Sequence, residues 1–517
     1  MSAVPVLSAA DAAGLDARAE SAGVALATLM DAAGRAAAAL LADRLAAAVA
    51  GGVLIAAGPG NNGGDGWVLA RALRRAGARV FVAPLDSSNI SPLNTAARDL
   101  ALKDGVRLLE AEGPWPAVGL AVDAILGTGA HGAPRPPAAA LLDRLRELSV
   151  PLVALDGPTG LDLSLGTAHG PAQADLTITF GGVRRGHLLA RDECGDVLVA
   201  DIGHPEAESN IPLLVDDGWA AARFADLPAA AHKGTRGRIV FAGGAPGTSG
   251  AIRLAARAAL AAGAGYAHVI TPEPSAAELR QADPELLVTA DPLTGAPGES
   301  LSAVLADADV AVIGPGLGRG PQQREAVAEL IAQSRVVVLD ADALTVFQNA
   351  VPRLAELLAG IHAVLTPHPG EFRTLFPDLA QQREVDPWGA AEEAASRVGA
   401  TIVLKGVPTV IATSGRVTLT VAAGTPGLGT AGSGDVLSGI SGTLLAQVDD
   451  VHVAACLAAQ ALGRSGELAA RRHTARAMRP ADTIDALQDV WREWQRLRHA
   501  GLAPRPPLLL ELRRPRS

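Results

Sequence analysis

Aromatic side chains are scarce in this sequence, which contains six tryptophans, one tyrosine and seven phenylalanines, or 3% of its residues. Because hydrophobic residues still make up 49% of the chain, the cores must be built mainly from alanine, valine and leucine. Cysteine is almost absent as well. Cys194 and Cys456 lie far apart in the sequence, which argues against a disulfide framework or a cysteine metal cluster. We expect two unpaired thiols in a reducing compartment.

The chain also lacks long apolar runs and an excess of positive charge. Its first residues, MSAVPVLSAADAAGLD, contain no cationic segment followed by an apolar core, and uncharged stretches such as 45–64 are broken by glycines. We therefore expect no signal peptide, no membrane partner and a cytoplasmic location. A formal net charge of −10 argues against a nucleic-acid partner but leaves room for an anionic small-molecule substrate.

Short apolar runs alternate with helical patterns along most of the 517 residues, a length that predicts two or three domains. The alternation is typical of α/β folds, in which helices cover both faces of a parallel sheet and ligands bind beyond the carboxyl ends of its strands. The pattern weakens across 205–232, which places a domain boundary around 215–225. The predicted domains are 1–215 and 225–495, followed by a loose tail rich in proline and arginine, 496–517.

One glycine-rich loop, GPGNNGGDGWVLAR at 58–71, follows the apolar run VLIAA. It matches G-x-G-x-x-G literally, a pattern that suggests a dinucleotide pyrophosphate but arises easily by chance. Glycines allow a ligand to approach the backbone, and the start of a helix offers unpaired N–H groups to an anion. However, Asn61, Asn62 and Asp65 supply more side-chain chemistry than a pyrophosphate loop needs.

A second glycine-rich segment, GTPGLGTAGSGDVLSGISGTLLA at 424–446, places Asp435 at the start of a predicted helix. Backbone N–H groups there can hold phosphate oxygens, and a carboxylate can take a proton from a hydroxyl that attacks a phosphoryl group. Alone, the segment is equally well explained as a turn in which Asp435 caps the helix. Polar or glycine-rich ends on further strands favour a site: GPGLG (314–318), DAD (340–342), HPGE (368–371) and LKG (404–406). This combination is typical of ADP- or ATP-dependent chemistry on a small hydroxylated substrate.

Residues 225–490 also resemble the ADP/ATP-dependent NAD(P)H-hydrate dehydratases of the ribokinase-like superfamily. The resemblance depends on HKGTRG, GPGLG, DADAL, TPHPGE, LKG and GSGDVLSG. It implies that the hydrated nicotinamide nucleotide contacts Ala251, Gly316, His368 and Asp435. It also implies that the adenine nucleotide contacts Lys405, Gly406, Val407, Pro408, Thr409 and Gly434.

The resemblance further implies a mechanism. Phosphoryl transfer to the hydroxyl of the hydrated ring makes phosphate the leaving group, and its departure restores the dihydropyridine. Asp435 is the expected proton acceptor, ADP or ATP the phosphoryl donor, and Mg²⁺ the accompanying ion. Bacterial members commonly use ADP, and the resemblance favours a homo-oligomer.

Residues 1–215 resemble the NAD(P)H-hydrate epimerases, a Rossmann-like three-layer domain often fused to the dehydratase. The matching segments are SAGVALATLMDAAG, GPGNNGGDG, VDAILGTG, DGPTGLD and ADLTITF. The resemblance implies that the hydrated nucleotide contacts Asn61, Asn62, Gly63, Gly64, Asp65, Gly127, Thr128, Gly129, Ala130, His131, Gly132, Ala133 and Asp156. Asp156 ends a strand and is the second expected catalytic residue, a proton shuttle.

The epimerase resemblance also implies one potassium ion, held by Asn62, Asp123 and Thr159. Neutral oxygens with a single carboxylate suit a large monovalent cation, whereas a cage of carboxylates would suit Mg²⁺ or Ca²⁺. Thr159 stands where serine is usual, and Arg185 stands where a lysine is common, so Arg185 is not counted as catalytic.

The predicted function is therefore bifunctional repair: epimerisation of R and S hydrated NADH and NADPH, and dehydration of the S form with ADP or ATP. The predicted fold is α/β, a Rossmann-like domain followed by a ribokinase-like domain. An alternative remains, in which the second half is a kinase of a small vitamin-precursor alcohol and the first half a non-catalytic nucleotide-binding module.

Overall fold

The computed structural model describes residues 3–110, 113–170, 173–295, 299–500 and 506–515. The chain divides into two compact units. One contains Val4–Ile211 together with the C-terminal strand Leu508–Leu512, and the other begins at Pro212 and includes the helix Pro480–Ala500. The division falls slightly before the predicted boundary region of 215–225, and the last long helix runs beyond the predicted domain end at residue 495.

The N-terminal unit is built around one sheet whose strands run parallel except at one edge. Its strands are, in spatial order, Arg107–Leu108, Val80–Pro84, Val53–Ala57, Leu120–Ala124, Leu152–Leu155, Leu176–Phe180, Asp196–Ala200 and the antiparallel Leu508–Leu512. A separate parallel pair joins Val4–Leu7 to Val183–Arg184. The helices are Ala9–Ser21, Leu26–Arg44, Ala46–Ala50, Asn61–Arg75, Pro92–Lys103, Pro136–Glu147, Arg185–Leu189 and Arg191–Cys194.

The central strands of this sheet are buried on both faces, as expected for a parallel sheet between helical layers. Alanine, valine and leucine fill the two layers of core on either side, and Trp67 is the one large aromatic residue among the fully buried members of these layers. The scarcity of aromatic residues is thus met by small aliphatic side chains.

The C-terminal unit has a second, larger sheet. Its parallel strands are, in spatial order, Leu287–Ala290, Tyr266–Thr271, Arg238–Ala242, Val310–Ile313, Val336–Leu339, His362–Leu365 and Thr401–Leu404. Thr409–Ala412 and Leu419–Val421 continue the sheet antiparallel, and Leu213–Leu214 pairs parallel with Leu419–Val421.

The helices of this unit are Asp217–Ala221, Ser249–Ala262, Glu273–Ala282, Glu299–Ala306, Pro321–Ala332, Asp342–Thr345, Val351–Leu358, Pro369–Leu375, Ala380–Val385, Pro387–Val398, Ser433–Gln447, Val451–His473 and Pro480–Ala500, with 3₁₀ turns at Pro377–Leu379 and Pro426–Leu428. The helices Ser249–Ala262 and Ser433–Gln447 pack closely at Gly439, where a Cβ would lie 2.0 Å from the carbonyl oxygen of Ala255. The predicted α/β fold class is confirmed in both units.

The prediction of a loose C-terminal tail is wrong for the part that the structure describes. Leu508–Leu512 pairs antiparallel with Asp196–Ala200, and the guanidinium of Arg44 donates two hydrogen bonds, of 3.0 and 2.6 Å, to the carboxylate of Glu511. This ion pair lowers the pKa of Glu511. The tail covers a sheet edge whose strand, Asp196–Ala200, would otherwise present unpaired backbone groups. Residues 501–505 and 516–517 of the predicted tail lie outside the described residues.

Within the described residues, no single helix combines the length and apolar character needed to cross a membrane. The helices Ala9–Ser21 and Leu26–Arg44 meet such a test only together, and they are bent by 118° from each other.

Replacing Leu510 by alanine should destabilise the N-terminal unit, because its side chain is 5% exposed in the core that the tail strand completes. We expect the unfolding free energy of the N-terminal unit to fall by about 2–5 kcal/mol. The matched control is Leu509→Ala, at a neighbouring position that is 43% exposed, which should change it by no more than about 0.5 kcal/mol. Urea unfolding of the full chain measures both, and equal unfolding of the two variants would contradict a docked strand.

Candidate active sites

A cavity of about 590 Å³ opens at the carboxyl ends of the N-terminal strands Val53–Ala57, Leu120–Ala124 and Leu152–Leu155. Eight of the predicted contacts line it: Asn61, Asn62, Asp65, Gly127, Thr128, Gly129, Ala130 and Asp156. The wall opposite these polar groups includes Leu26, Leu29 and Met30 from one helix. The cavity thus combines an apolar wall with a few convergent polar groups, as small-molecule sites do.

Gly58 and Gly63 allow the loop after the strand Val53–Ala57 to pack against neighbouring backbone. A Cβ at Gly58 would lie 1.9 Å from the carbonyl oxygen of Ile125, and a Cβ at Gly63 would lie 1.9 Å from the carbonyl oxygen of Gly58. The helix begins earlier than its apolar pattern indicates, at Asn61, so its first turn faces the cavity. Asn94 fixes the loop by donating hydrogen bonds to the carbonyl oxygens of Gly58 and Gly60, at 2.9 and 2.7 Å.

Asp156 is the most constrained carboxylate of this cavity. It has a positive φ of 62°, a conformation that residues other than glycine rarely adopt. Its Oδ2 accepts hydrogen bonds from the backbone N–H of Thr128 at 2.7 Å and from the hydroxyl of Thr128. Its Oδ1 lies 3.0 Å from Nη2 of Arg184, whose Nε donates to the hydroxyl of Thr128 at 2.8 Å.

This network keeps Asp156 ionised. Burial raises its pKa, but the charge of Arg184 and the hydrogen bonds from Thr128 outweigh burial, so the pKa lies below its usual value. Asp156 and Arg184 are 8% and 7% exposed, which strengthens their interaction. The site therefore holds a charged base beside a fixed cation.

His187 supports this arrangement from below. Its Nδ1 accepts a hydrogen bond from the backbone N–H of Arg184 at 3.1 Å, so its Nε2 carries the proton donated to the carbonyl oxygen of Asp156 at 2.8 Å. Burial and the nearby arginines lower the pKa of His187 to about 3. His187 is thus a neutral residue that fixes the backbone on both sides of the ion pair.

Asp65 has the opposite environment from Asp156. Burial, followed by the negative charges of Asp156 and Asp16, raises its pKa well above the usual value. Two carboxyl groups whose pKa values are moved apart can divide the roles of acid and base.

The three predicted potassium ligands are connected through one loop. Thr159 donates hydrogen bonds to both carboxylate oxygens of Asp123, from its hydroxyl and its backbone N–H, each at 2.8 Å. The amide of Asn62 donates to the carbonyl oxygen of Leu126 at 2.9 Å, while its own Oδ1 is buried without a hydrogen-bond partner. Burial raises the pKa of Asp123, so a bound cation would offset an existing cost. Leu126 connects Asn62 with the Asp123–Thr159 pair, because its N–H donates a hydrogen bond to the hydroxyl of Thr159 at 3.1 Å, and the unsatisfied amide oxygen suits a monovalent cation.

The other predicted contacts of this domain occupy two different places. Gly63 and Gly64 are buried in the first turn of the helix Asn61–Arg75, while His131, Gly132 and Ala133 are exposed. Nδ1 of His131 lies 3.0 Å from the carboxylate of Asp162, which is buried.

In the C-terminal unit, a lysine and three acids gather where the parallel strands end. Nζ of Lys405 donates a hydrogen bond to Oδ1 of Asp340 at 2.9 Å and lies 3.8 Å from Oε2 of Glu371. Oδ2 of Asp340 accepts a hydrogen bond from the hydroxyl of Ser438 at 2.7 Å. Asp435 stands one helical turn before Ser438, in the first turn of Ser433–Gln447.

One ammonium cannot neutralise three carboxylates. Burial and the charges of Asp340 and Glu371 raise the pKa of Asp435 to about 7, against the opposing effect of Lys405. Burial raises the pKa of Glu371, and the acids around Lys405 raise its pKa. Asp435 is thus poised to exchange a proton near neutral pH, as a general base requires.

The predicted substrate contacts of this domain border the cluster on one side. His368 caps the helix Pro369–Leu375: its Nδ1 accepts a hydrogen bond from the N–H of Gly370 at 2.9 Å, and its own N–H donates to Glu371 at 2.8 Å. Burial and Lys405 lower the pKa of His368. Gly316 has a φ of 61° and packs against Thr248, next to the helix start that contains Ala251.

The predicted nucleotide contacts follow the strand Thr401–Leu404. Gly406, Val407 and Pro408 form the next turn, Thr409 begins the following strand, and the side chain of Val407 is 72% exposed. A Cβ at Gly434 would lie 3.2 Å from Nζ of Lys405, so this glycine leaves room for the lysine at the helix start. Lys405 itself is directed towards the acids.

Sequence reasoning missed two charged residues that the structure places in the sites. Arg184 forms an ion pair with Asp156. Asp340 had been noted as part of a strand-end motif without a role of its own, and it is 1% exposed at the centre of the acid cluster. In the sequence, Asp340 directly follows the apolar run VVVL, and a charged residue at that position indicates a side chain at the end of a buried strand.

Together, these features define a two-domain α/β enzyme with one acid-containing site in each domain. Two family models match the chain, one described as NAD(P)H-hydrate dehydratase over residues 239–489 and one as YjeF-related protein N-terminus over residues 26–186.

The chain is also similar to bifunctional NAD(P)H-hydrate repair enzymes. It is 37% identical to that of Moorella thermoacetica, over 85% of this chain and 87% of the relative, and 36% identical to that of Escherichia coli, over 84% of each. A solved ADP/ATP-dependent NAD(P)H-hydrate dehydratase from Bacillus subtilis, co-crystallised with ATP and Mg²⁺, is 26% identical, with a TM-score of 0.49 and coverage of 56% of this chain and 100% of that one.

The chain belongs to the family of bifunctional NAD(P)H-hydrate repair enzymes. The predicted function, an epimerase domain followed by a dehydratase domain, is thereby confirmed. The alternative, a vitamin-precursor kinase with a non-catalytic N-terminal module, is not supported by these relatives.

Proposed function

We propose that Asp156 is the proton shuttle of the epimerase domain and Asp435 the proton acceptor of the dehydratase domain. The observation that supports the pair best is electrostatic. Asp156 has a lowered pKa beside Arg184, whereas Asp435 has a pKa of about 7 beside two further acids. The substrates are the R and S hydrates of NADH and NADPH, and the second reaction consumes ADP or ATP.

In the epimerase domain, inversion moves a hydroxyl from one face of the hydrated ring to the other. Asp156 takes a proton in its charged form, is neutral while it holds that proton, and returns it, and Arg184 stabilises the carboxylate before the first step and after the second. Thr128 holds the carboxylate through both its N–H and its hydroxyl, so the orientation of Asp156 towards the cavity is fixed. Asp65, whose pKa burial raises well above its usual value, is the more readily protonated carboxyl group of the same cavity.

We place the potassium ion at Asn62, Asp123 and Thr159, where the unpartnered Oδ1 of Asn62 and the buried Asp123 support it. When bound, the ion supplies positive charge next to the loop that carries Thr128. The chain's own residues carry out the proton transfers.

In the dehydratase domain, Asp435 removes the proton from the substrate hydroxyl as it attacks the terminal phosphoryl group. Lys405 and Asp340 hold each other in place beside the helix start. The described residues contain no group of three or more histidines, cysteines, aspartates or glutamates arranged for a metal ion. We propose that a Mg²⁺ ion accompanies the nucleotide phosphates, as is usual for phosphoryl transfer. We propose ADP as the preferred donor.

We further propose a homo-oligomer in the cytoplasm that has no nucleic-acid or membrane partner. The formal net charge of −10 supports the absence of nucleic acid.

Replacing Asp156 by alanine should abolish epimerisation and spare dehydration. With a mixed-epimer preparation of hydrated NADH, ADP, Mg²⁺ and K⁺, the wild type should restore the dihydronicotinamide absorbance completely in one fast phase. The variant should restore only the S fraction and then drift at the spontaneous rate, with its epimerisation rate down at least about a hundredfold. Asp143→Ala, at an exposed position of the same unit, is the control and should match the wild type. Complete fast recovery in the Asp156 variant would remove this residue from the mechanism.

The acid limb of the dehydration rate should follow Asp435, whose carboxylate must be ionised to accept a proton. The rate should fall as pH drops through about 7, and Asp435→Asn should lose at least about a hundredfold. Asp340→Asn removes a negative charge that raises the pKa of Asp435, so the limb should move to lower pH. ADP titrates identically in the assays of both enzymes, so it cannot account for a difference between their pH profiles. An unshifted limb in Asp340→Asn would refute the assignment.

Epimerisation should depend on potassium, and replacing K⁺ by Na⁺ should slow the epimerisation phase without changing dehydration of the pure S hydrate. Asn62→Ala should abolish the difference between the two ions, because it removes the unpartnered amide oxygen. Asn61→Ala, whose amide oxygen accepts a hydrogen bond from Ser91, should keep the difference. A K⁺ response that survives in Asn62→Ala would place the ion elsewhere.

A further inference from the structure

A second cavity, of about 530 Å³, lies beside the dehydratase site and has no role in the reaction as described so far. Its polar lining consists of two arginines, two hydroxyl residues and two amide residues: Arg319, Arg324, Thr345, Thr374, Gln348 and Asn349. No carboxylate lines it in the part of the chain that the structure describes, although the protein as a whole is acidic. The cavity is therefore a local positive region suited to an anion.

Two of the chain segments that line the cavity follow predicted substrate contacts in the sequence. Arg319 follows Gly316 by three residues on the same loop, and Thr374 lies on the helix Pro369–Leu375, which His368 caps. The positive charge of Arg319 also acts on His368 and Glu371, as a minor effect beside burial, which lowers the pKa of His368 and raises that of Glu371. A ligand seated against Gly316 and His368 thus has this cavity as its neighbour.

The two arginines are held differently. Nε of Arg319 donates a hydrogen bond of 2.7 Å to Asp342, which partly neutralises it. Nε of Arg324 donates to the carbonyl oxygen of Val346 at 2.6 Å, and none of the acids among the described residues forms an ion pair with it. Arg324 is therefore oriented but keeps its charge available, an arrangement that suits a phosphate group.

The dehydratase site itself offers little to the phosphates of its substrate. Its cation Lys405 is engaged by Asp340 and faces two further acids. We propose, on the basis of the function proposed above, that the Arg319–Arg324 cavity binds a phosphate of the hydrated dinucleotide. The phosphate belongs either to the pyrophosphate, common to both substrates, or to the 2′-phosphate of hydrated NADPH.

The test compares KM values of wild type, Arg324→Gln and Arg319→Gln for the S hydrates of NADH and NADPH, at saturating ADP. We expect KM to rise about tenfold or more with kcat retained, as for loss of a charge-assisted hydrogen bond. A rise with both hydrates assigns the pyrophosphate, and a rise with hydrated NADPH alone assigns the 2′-phosphate. Arg280→Gln, an exposed arginine outside the cavity that pairs with Glu273, is the matched control.

Unchanged KM values for both hydrates would overturn the proposal, as would a loss of kcat with KM unchanged. A rise in the KM for ADP would overturn it too, because the cavity would then serve the phosphoryl donor. These outcomes differ from failure of the proposed function, in which the wild-type chain itself would restore neither dinucleotide.

Discussion

The chemistry of both domains depends on burying carboxyl groups at the ends of parallel strands. Removing a carboxylate from water is costly unless a cation or several hydrogen bonds replace the lost solvation. Asp156 receives that replacement from Arg184 and Thr128, and it stays charged. Asp435 receives little of it, because Asp340 holds Lys405 more directly, and it titrates near neutral pH.

The fold supplies the positions before the side chains supply the chemistry. In a parallel sheet all strands end at the same edge, so residues distant in sequence, such as Asp340 and Lys405, meet there. Close backbone packing then brings the helix starts to that edge, and glycines make such packing possible where a Cβ would collide with a carbonyl oxygen, as at Gly58 and Gly63. The sheet edge, the glycines and the helix starts therefore act together to position the side chains of the site.

Much of this arrangement could be predicted from residues next to apolar runs, because local sequence reports where a strand ends. The position of Asp156 follows from such a run, whereas Asp435 is predicted from the glycine-rich start of its helix together with the family resemblance. The ion pair of Arg184 with Asp156 could not be predicted from local sequence, since it depends on which side of the short strand Val183–Arg184 faces the cavity. Nor could the position of Leu508–Leu512, because its partner strand lies some three hundred residues away and the flanking prolines and arginines suggest an unstructured end.

The charge balance of the dehydratase site also explains why phosphate recognition must be divided. A phosphoryl donor and a dinucleotide bring several negative charges to a cluster in which one lysine already faces three acids. Backbone N–H groups at the start of Ser433–Gln447 and an accompanying Mg²⁺ ion suit the donor, since both are local to the reacting phosphate. The substrate's own phosphates gain most from cations outside the cluster, such as Arg324, and Asp435 then keeps its raised pKa. A guanidinium placed inside the cluster would lower that pKa and weaken the base.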